Sequence, residues 1–249
     1  MCSSNLEVYS FKVKVRKKTV DATLTLTHVP STKAPEYASE EGVNLVPINK
    51  LADIKEPWKR YVVIGAGKTG LDALLYLLDN GVDPEKIVWI VSNDCWYMSR
   101  DDFEGGDAFK SLHKIFPKFF GVILESENVD EVYQKSEAEG IFYRLDKNIW
   151  PTKMRAATVS SKEMKKCLTI KNIVRLGRIE RIEKEQIVFK QGGTIPTDAD
   201  TLHVDCSASG TNFPPVKEKI FDGNKINLMM VQMPQPCTSA AMIAALENK

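Results

Sequence analysis

Three glycines at a fixed spacing, Gly65, Gly67 and Gly70, are the residues of this sequence with the clearest chemical potential. In the pattern G-x-G-x-x-G, the first glycine permits a tight turn, the second lets a ligand approach the main chain, and the third lets a helix pack closely. A helix that begins at this turn points free N–H groups and its positive dipole end at an anion. The pattern predicts a pyrophosphate site of six residues: Gly65, Ala66, Gly67, Lys68, Thr69 and Gly70.

The segments around this turn have the order that a dinucleotide site requires. Residues 61–64 form a continuous apolar run, which is typical of a parallel strand buried on both faces. The following apolar residues recur at helical spacing: Leu71, Leu74, Leu75 and Leu78. Asn80-Gly81 then predicts the end of the helix, and residues 87–91 predict a second strand. This order favours a dinucleotide site, while a glycine turn kept only for packing is the alternative.

Gly67-Lys68-Thr69 also resembles the end of a phosphate-binding P-loop. That motif requires a glycine five positions before the one that precedes the lysine, and Val62 stands there. The sequence therefore argues against a P-loop hydrolase.

Residues after the second predicted strand bear on the choice between NAD and NADP. An acid at the end of this strand commonly holds the ribose 2′-hydroxyl, whereas an arginine accommodates a 2′-phosphate. Ser92 occupies the strand tip, Asp94 lies further along, and Arg100 follows. The order favours NADP, with NAD left open and an ordinary surface position as the alternative for Arg100.

Composition excludes several other classes of function. A formal net charge of +1 gives no global field that would attract nucleic acid or a membrane surface. The N-terminus lacks the basic and apolar segments of a secretory signal. Five dispersed cysteines without a C-x-x-C pair argue against a zinc or disulfide framework, and favour the cytoplasm. Cys206, which follows an apolar strand, is expected to be a buried and inert thiol.

The rest of the chain predicts an α/β fold. Strands are expected at residues 11–16 and 19–27, in the region 172–205, and at 225–232, with a loop at 30–42. Residues 95–170 predict a helical insertion, with helices at 107–116, 129–138 and 162–168, the last capped by Ser160 or Ser161. A final helix is expected from about Thr238, with Thr238 or Ser239 as its cap.

Three segments carry a resemblance to a known family. GAGKTGLDAL at 65–74 is similar to an NADP-binding turn, VDAT at 20–23 with Pro30 looks like the crossing that precedes it, and VDCSASG at 204–210 looks like the crossing back. Together they resemble the flavin-containing monooxygenase-like FAD/NAD(P)-dependent oxidoreductases, which have two dinucleotide folds. The similarity spans most of residues 10–249, although only the glycine turn is specific by itself.

The resemblance implies a Rossmann-like NAD(P)-binding domain with a parallel sheet, inserted into a split FAD-type domain. It implies an N-terminal FAD-type segment at 1–57, the nicotinamide domain at 58–205, and a return segment at 206–249. It also places Gly210 and the helix start near Thr238 beside a flavin. No G-x-G-x-x-G precedes Gly65, and the roughly 60 residues upstream are too few for a complete flavin half. We therefore expect part of a flavoprotein, with a partner chain or an oligomer completing any flavin site.

Three functions remain open at this stage. In the first, NADPH reduces a bound flavin, which passes electrons to oxygen or to a small-molecule substrate whose identity the sequence does not select. The second is a non-catalytic nucleotide-binding module without flavin. The third is a flavin-independent dehydrogenase with its substrate site in residues 95–170, where Tyr97, Lys114 and Tyr143 are candidate acid–base groups that no spacing selects.

Overall fold

The computed structural model describes residues 10, 12–23, 26–101, 108–207, 210–212, 218–231 and 236–248. Its strands are β1 (Thr19–Asp21), β2 (Leu26–His28), β3 (Ala38–Ser39), β4 (Leu45–Pro47), β5 (Arg60–Ile64), β6 (Ile87–Ile90), β7 (Cys95–Ser99), β8 (Phe142–Tyr143), β9 (Lys153–Val159), β10 (Ile173–Val174), β11 (Ile179–Ile182), β12 (Gln186–Phe189), β13 (Thr194–Pro196), β14 (Thr201–Asp205), β15 (Gly210–Asn212), β16 (Phe221–Asp222) and β17 (Lys225–Asn227). Its α-helices are α1 (Lys68–Asp79), α2 (Ala108–Leu124), α3 (Val129–Ala138), α4 (Ser161–Cys167) and α5 (Pro236–Glu247), and short 3-10 helices cover Ile48–Asp53 and Pro84–Lys86.

The chain divides into two compact units. One comprises residues 29–208, and the other combines the described parts of 1–28 and 209–249. The larger unit is thus inserted into the sequence of the smaller one. The sequence suggested a first boundary after residue 57, whereas the structure joins residues 29–57, with β3, β4 and a 3-10 helix, to the larger unit.

A five-stranded parallel sheet forms the centre of the larger unit, in the order β10-β6-β5-β14-β4. The strands predicted from the apolar runs at 61–64 and 87–91 are confirmed as its β5 and β6. Every residue of β14 is buried, as expected of a strand covered on both faces. Because all five strands are parallel, their carboxyl ends meet at one edge of the sheet.

Alternate residues of β5 pack into different layers, since successive side chains of a strand point to opposite faces. Tyr61 and Val63 join a core that contains the buried face of α1, and Val62 and Ile64 join a second core. The sheet β13-β12-β11-β3 contributes to that second core the residues Ile179, Ile182, Ile187 and Phe189. The central sheet is therefore covered by α1 on one face and by a second sheet on the other.

Helix α1 matches the predicted amphipathic pattern. Of the four predicted leucines, Leu71 and Leu74 are buried, and Leu75 and Leu78 are half-buried against the same core. Leu77, outside the predicted set, is buried as well. Asn80 is the C-cap, and Gly81 follows with a φ of +78°, a left-handed conformation that glycine adopts without strain. The predicted helix end is confirmed.

The prediction that residues 95–170 form a helical insertion is wrong in part. This segment contains a three-stranded sheet, β8-β7-β9, in addition to its helices. The helix predicted to stop at Phe116 continues through Pro117 to Leu124, where Phe119 and Val122 pack against the insertion core. Packing of these later residues outweighs the local preference of proline to interrupt a helix. Helix α3 is confirmed as predicted, and Ser160 caps α4.

In the smaller unit, the two flanking segments of the chain pair with each other. Strand β1 is parallel to β17, β16 is antiparallel to β17, and β2 is antiparallel to β15. The strand predicted at 11–16 is not formed in its described residues 12–16, where Val13 and Val15 are exposed and therefore have no core to bury them; Phe11 lies outside the described residues.

The C-terminal segment also differs from expectation. The strand predicted over 225–232 is confirmed only as β17, and α5 begins at Pro236. Thr238 and Ser239 therefore lie inside its first turn and do not cap it, because a proline is well suited to the first helical position. Among the described residues, no helix combines the length and apolarity needed to cross a membrane.

His203 is an internal polar residue of β14. Its ring is buried, and Nδ1 lies 3.0 Å from the Asn44 carbonyl oxygen, which can only accept. Nε2 lies 2.9 Å from the Thr197 hydroxyl and therefore accepts from it in the neutral ring. Burial lowers the pKa of His203, although the contact with Asn44 opposes this effect.

We predict that this buried histidine makes the fold less stable in mild acid. Because the folded pKa is depressed, the stabilisation is present above the unfolded pKa of about 6.5 and is lost as pH falls through the folded pKa. The free energy of unfolding of the wild type should fall by up to about 1.4 kcal/mol per pH unit between about pH 7 and pH 5.5 from this group. Urea unfolding at several pH values should show that the free energy of unfolding of His203→Asn depends less steeply on pH than that of the wild type. Equal pH slopes in the two proteins would contradict a neutral, buried His203.

Candidate functional site

The glycine-rich turn lies at the carboxyl edge of the central sheet, immediately after β5. Gly65 has a φ of +123°, a conformation that L side chains rarely adopt, and its N–H donates to the Ile90 carbonyl at 3.0 Å. A Cβ at this position would lie 2.7 Å from the Cys206 carbonyl oxygen. Both the backbone conformation and the space available therefore require glycine.

Gly70 allows the first turn of α1 to sit against this bend. A Cβ at residue 70 would overlap the Gly65 carbonyl oxygen and would lie 3.9 Å from Trp89 Nε1. Gly70 is buried, and the close approach of helix to turn depends on its missing side chain.

Gly67 differs from both of these glycines because it faces open space. A Cβ there would meet no described atom within 4 Å, and its backbone is extended, with φ −84° and ψ −174°. The turn thus contains two glycines that pack and one that leaves a gap. A side chain at residue 67 would enter that gap.

The N-terminal amides of α1 are left available. Among the described residues, no side chain caps the helix, and its first backbone bond runs from Leu71 N–H to the Gly67 carbonyl at 3.1 Å. Within the part of the chain that the structure describes, the amides of Lys68, Thr69 and Gly70 consequently have no acceptor. Such amides, with the positive end of the helix dipole, form a site for an anion.

Two buried side chains fix the orientation of the turn. The indole Nε1 of Trp89 donates to the Gly65 carbonyl at 2.9 Å, and the Tyr97 hydroxyl donates to the Ala66 carbonyl at 2.6 Å. Since the C=O and N–H of a planar trans peptide point in opposite directions, the amides of Ala66 and Gly67 point away from these donors. Burial raises the pKa of Tyr97 well above its ordinary value, so its hydroxyl stays protonated as a donor.

Tyr97 is therefore a positioning residue of the turn. The sequence suggested it only as one of three acid–base groups, and its role could not be read from spacing because 31 residues separate it from Ala66. Tyr143, another of these groups, has its hydroxyl 3.0 Å from Asp101 Oδ2 and 3.2 Å from Ser99 Oγ. The side chain of Lys114, the third, lies outside the described residues.

Ser92 and an arginine that the sequence did not identify lie at the same edge. Ser92 is half-buried and follows Val91, whose N–H donates to the Val174 carbonyl at 2.9 Å. Arg175 comes directly after Val174, so the two strand ends are neighbours. Its Nε is 3.0 Å from Asp94 Oδ2 and its Nη2 is 3.3 Å from Oδ1. The available signal was a basic residue directly after the apolar strand β10.

Arg100 has a different environment. It pairs with Glu163, the acidic residue of the capping box that Ser160 forms at the start of α4. Burial opposes ionisation of Glu163, but hydrogen bonds from Ser160 and the charge of Arg100 hold its pKa below the usual value. Lys68 pairs with Asp72 one turn along α1. Arg100 thus stabilises α4, and the turn presents Lys68 with its charge already partnered.

The two remaining predicted residues, Gly210 and Cys206, lie in different units. Gly210 belongs to the smaller unit, where it pairs with His28 in the register of β15 and β2. The predicted burial of Cys206 is confirmed, and burial, followed by the charge of Asp205, raises the pKa of its thiol. Among the described residues, no group of His, Cys, Asp and Glu could hold a metal ion.

The chain is similar to two longer proteins whose names state no activity. They are the uncharacterized protein Rv2000 of Mycobacterium tuberculosis and the uncharacterized protein Mb2023 of Mycobacterium bovis. Each is 36% identical over 241 residues, which are 95% of this chain and 44% of the relative. The chain therefore spans less than half the length of these curated relatives. No model of a known protein family matches it.

The different surroundings of the glycines predict different effects of the same substitution. Gly70→Ala forces the new methyl group into the Gly65 carbonyl, so we expect a loss of about 2 kcal/mol or more in the free energy of unfolding. Gly67→Ala is expected to change it by no more than about 0.5 kcal/mol, because the methyl group has room and the unfolded chain loses entropy. Urea unfolding measures both, and a Gly67→Ala loss as large as that of Gly70→Ala would contradict this view of the turn.

Proposed function

We propose that this chain binds a nicotinamide dinucleotide, with NADP(H) preferred, at residues 65–70. The observation that carries the proposal is the division of roles among the glycines. Gly65 forms the bend, and Gly70 allows α1 to pack closely against it. Gly67 leaves the backbone exposed beside amides that have no acceptor in the described part of the chain. These are the three roles that a dinucleotide pyrophosphate requires.

The order of the strands supports a Rossmann-like assignment for the larger unit. Numbered in chain order, β5, β6, β10 and β14 have the spatial order 3-2-1-4, which matches the first four strands of the dinucleotide-binding order 3-2-1-4-5-6. The fifth strand, β4, precedes them in the chain and pairs with β14 at the edge. In such sheets ligands bind outside the carboxyl ends of the strands, where the strand order reverses. That position falls between β5 and β14, at the bend where Gly65 approaches Cys206.

The preference for NADP rests on Ser92 and Arg175. Both follow neighbouring strands at the carboxyl edge, which is where the adenosine ribose of a dinucleotide lies. Arg175 carries five N–H donors in a planar fork, and Asp94 accepts from two of its nitrogens. Donors therefore remain for a 2′-phosphate. Asp94 also keeps the guanidinium in place at this edge.

We assign the chain to the flavoprotein-type oxidoreductases on the resemblance described above, with monooxygenase-like chemistry as its expected form. The insertion of the larger unit between two segments that pair with each other supports this view. When bound, NADPH supplies a hydride. The residues of this chain bind the pyrophosphate, orient the dinucleotide and hold the turn in place.

The described residues do not supply a cradle for FAD. In the described part of the smaller unit, no second glycine-rich turn joins a strand to a helix. We therefore propose that a partner chain or an oligomer supplies any flavin site.

Titration calorimetry of Gly67→Asp with NADPH tests the proposed site. The carboxylate would occupy the gap and repel the pyrophosphate, so we expect the affinity to fall at least about tenfold, or 1.4 kcal/mol. Asn148→Asp adds the same charge at an exposed position and is the matched control, with affinity expected to stay at the wild-type value. Thermal unfolding of both variants verifies that they are folded.

Two results would reject the proposed site. The first is an absence of saturable binding of NADPH, NADP or NAD by the wild-type protein. The second is an equal affinity for NADPH in wild type and folded Gly67→Asp. Tighter binding of NAD than of NADP would overturn only the preference assigned to Ser92 and Arg175.

A further inference from the structure

A serine just after β14 lies beside the glycine turn, on the opposite side of β5 from the ends of β6 and β10. The N–H of Cys206 donates to the Ile64 carbonyl at 2.9 Å, so the two chains are still in contact where the turn begins. A Cβ on Gly65 would lie 3.4 Å from the nitrogen of Ser207, and Ser207 itself is exposed. Ser207 is therefore an accessible neighbour of the proposed pyrophosphate site.

Both hydrogen-bond donors of Ser207 are directed at one buried carboxylate. The N–H of Ser207 lies 3.0 Å, and its hydroxyl oxygen 2.5 Å, from Oδ1 of Asp205, the last residue of β14. A serine hydroxyl carries one proton and two lone pairs, and a carboxylate only accepts. Because its proton is donated to Asp205, the hydroxyl oxygen of Ser207 is left as an acceptor for a neighbouring molecule.

This acceptor selects the part of a dinucleotide that Ser207 can bind. Phosphate oxygens also accept, so they do not pair with it, whereas a group with an O–H or N–H donor does. The nicotinamide half carries such donors on its ribose and its carboxamide. Its direction also fits: the proposed adenosine ribose lies at the ends of β6 and β10 and the pyrophosphate follows β5, so the nicotinamide half extends toward β14.

The charge of Asp205 adds an electrostatic preference at this position. Within the part of the chain that the structure describes, Asp205 forms no ion pair, and both contacts printed by its geometry come from Ser207. Its charge reaches its neighbours, since it is the largest cause after burial that raises the pKa of the Tyr37 hydroxyl and the Cys206 thiol. The nicotinamide ring is a cation in NADP⁺ and neutral in NADPH. A negative charge on this side of the site therefore favours the oxidised form.

We propose that Ser207 accepts a hydrogen bond from the nicotinamide half of the dinucleotide, and that Asp205 orients this acceptor and favours NADP⁺ over NADPH. This inference rests on the proposed binding of a nicotinamide dinucleotide at residues 65–70. Ser207 is the residue that contacts the cofactor. Asp205 is buried and is a positioning residue, which acts through Ser207 and through its charge.

Titration calorimetry of Ser207→Ala with two probes, NADP⁺ and adenosine 2′,5′-bisphosphate, tests the contact. The second probe keeps the 2′-phosphate but lacks the nicotinamide and its ribose. Loss of one hydrogen bond should weaken NADP⁺ about three- to tenfold and leave the affinity for the bisphosphate unchanged. Ser126→Ala is the matched control, because this hydroxyl donates to the Val122 carbonyl in the insertion at 2.6 Å, and both affinities should stay at their wild-type values.

Asp205→Asn tests the effect of the charge with nearly the same side-chain shape. The ratio of the affinity for NADP⁺ to that for NADPH should fall at least about threefold, because one nearby negative charge is removed. A purely structural role would weaken both forms equally. Thermal unfolding verifies that each variant is folded, and Asp205→Ser replaces Asp205→Asn if the latter does not fold.

Different results reject the nucleotide site and the contact with Ser207. If the wild-type protein binds neither NADP⁺ nor the bisphosphate, the nucleotide site is rejected and this inference falls with it. If Ser207→Ala binds NADP⁺ as tightly as the wild type, or loses affinity for both probes equally, the contact with Ser207 alone is overturned. An unchanged ratio of NADP⁺ to NADPH affinity in a folded variant of Asp205 overturns the role of its charge.

Discussion

The orientation of two peptide groups, Gly65–Ala66 and Ala66–Gly67, determines the geometry of the candidate anion site. The buried side chains of Trp89 and Tyr97 donate hydrogen bonds to the carbonyl oxygens of Gly65 and Ala66, respectively. Each carbonyl that is held inward turns the N–H of its own peptide group outward. The outward amides of the turn continue into the first amides of α1, which have no acceptor among the described residues, so that one surface presents several donors to an anion.

This arrangement depends on two sheets, the parallel central sheet and the three-stranded sheet β8-β7-β9. Trp89 is on β6 and Tyr97 is on β7, and both side chains reach back to the turn that follows β5. The turn is also bounded by β14, since the Cys206 carbonyl closes the space beside Gly65. Strands β6 and β7, which are close to each other in sequence, and the distant end of β14 therefore fix one bend of the backbone after β5. The glycine spacing alone would permit the bend but would not orient it.

The local part of the structure could be predicted from the sequence, because the signals lie within a few residues. Apolar runs gave β5 and β6, leucine periodicity gave α1, and Ser160 or Ser161 gave the capped start of α4, where Ser160 is the cap. Long-range features escaped prediction. The alternation at 12–16 looked like a strand, but strand formation depends on a partner and a core that the sequence pattern does not contain.

The candidate site likewise combines local features, which the sequence predicts, with long-range contacts, which it does not predict. The six residues of the turn were identified by their spacing, whereas Tyr97 and Arg175 act across 31 and 81 residues of chain, on Ala66 and Asp94. Arg100 was favoured because it follows Ser92 closely, but its partner Glu163 lies 63 residues away. Such contacts depend on which strand ends become neighbours, and a single sequence does not specify that order.

Amide chemical shifts in an isotope-labelled protein test the central claim most directly, because each donor reports separately. On addition of NADP, the account predicts that the largest changes occur at the N–H groups of Gly67, Lys68, Thr69 and Gly70, with downfield shifts as they donate to phosphate oxygens. Saturable binding with these four amides unchanged, and the largest changes elsewhere, would contradict it.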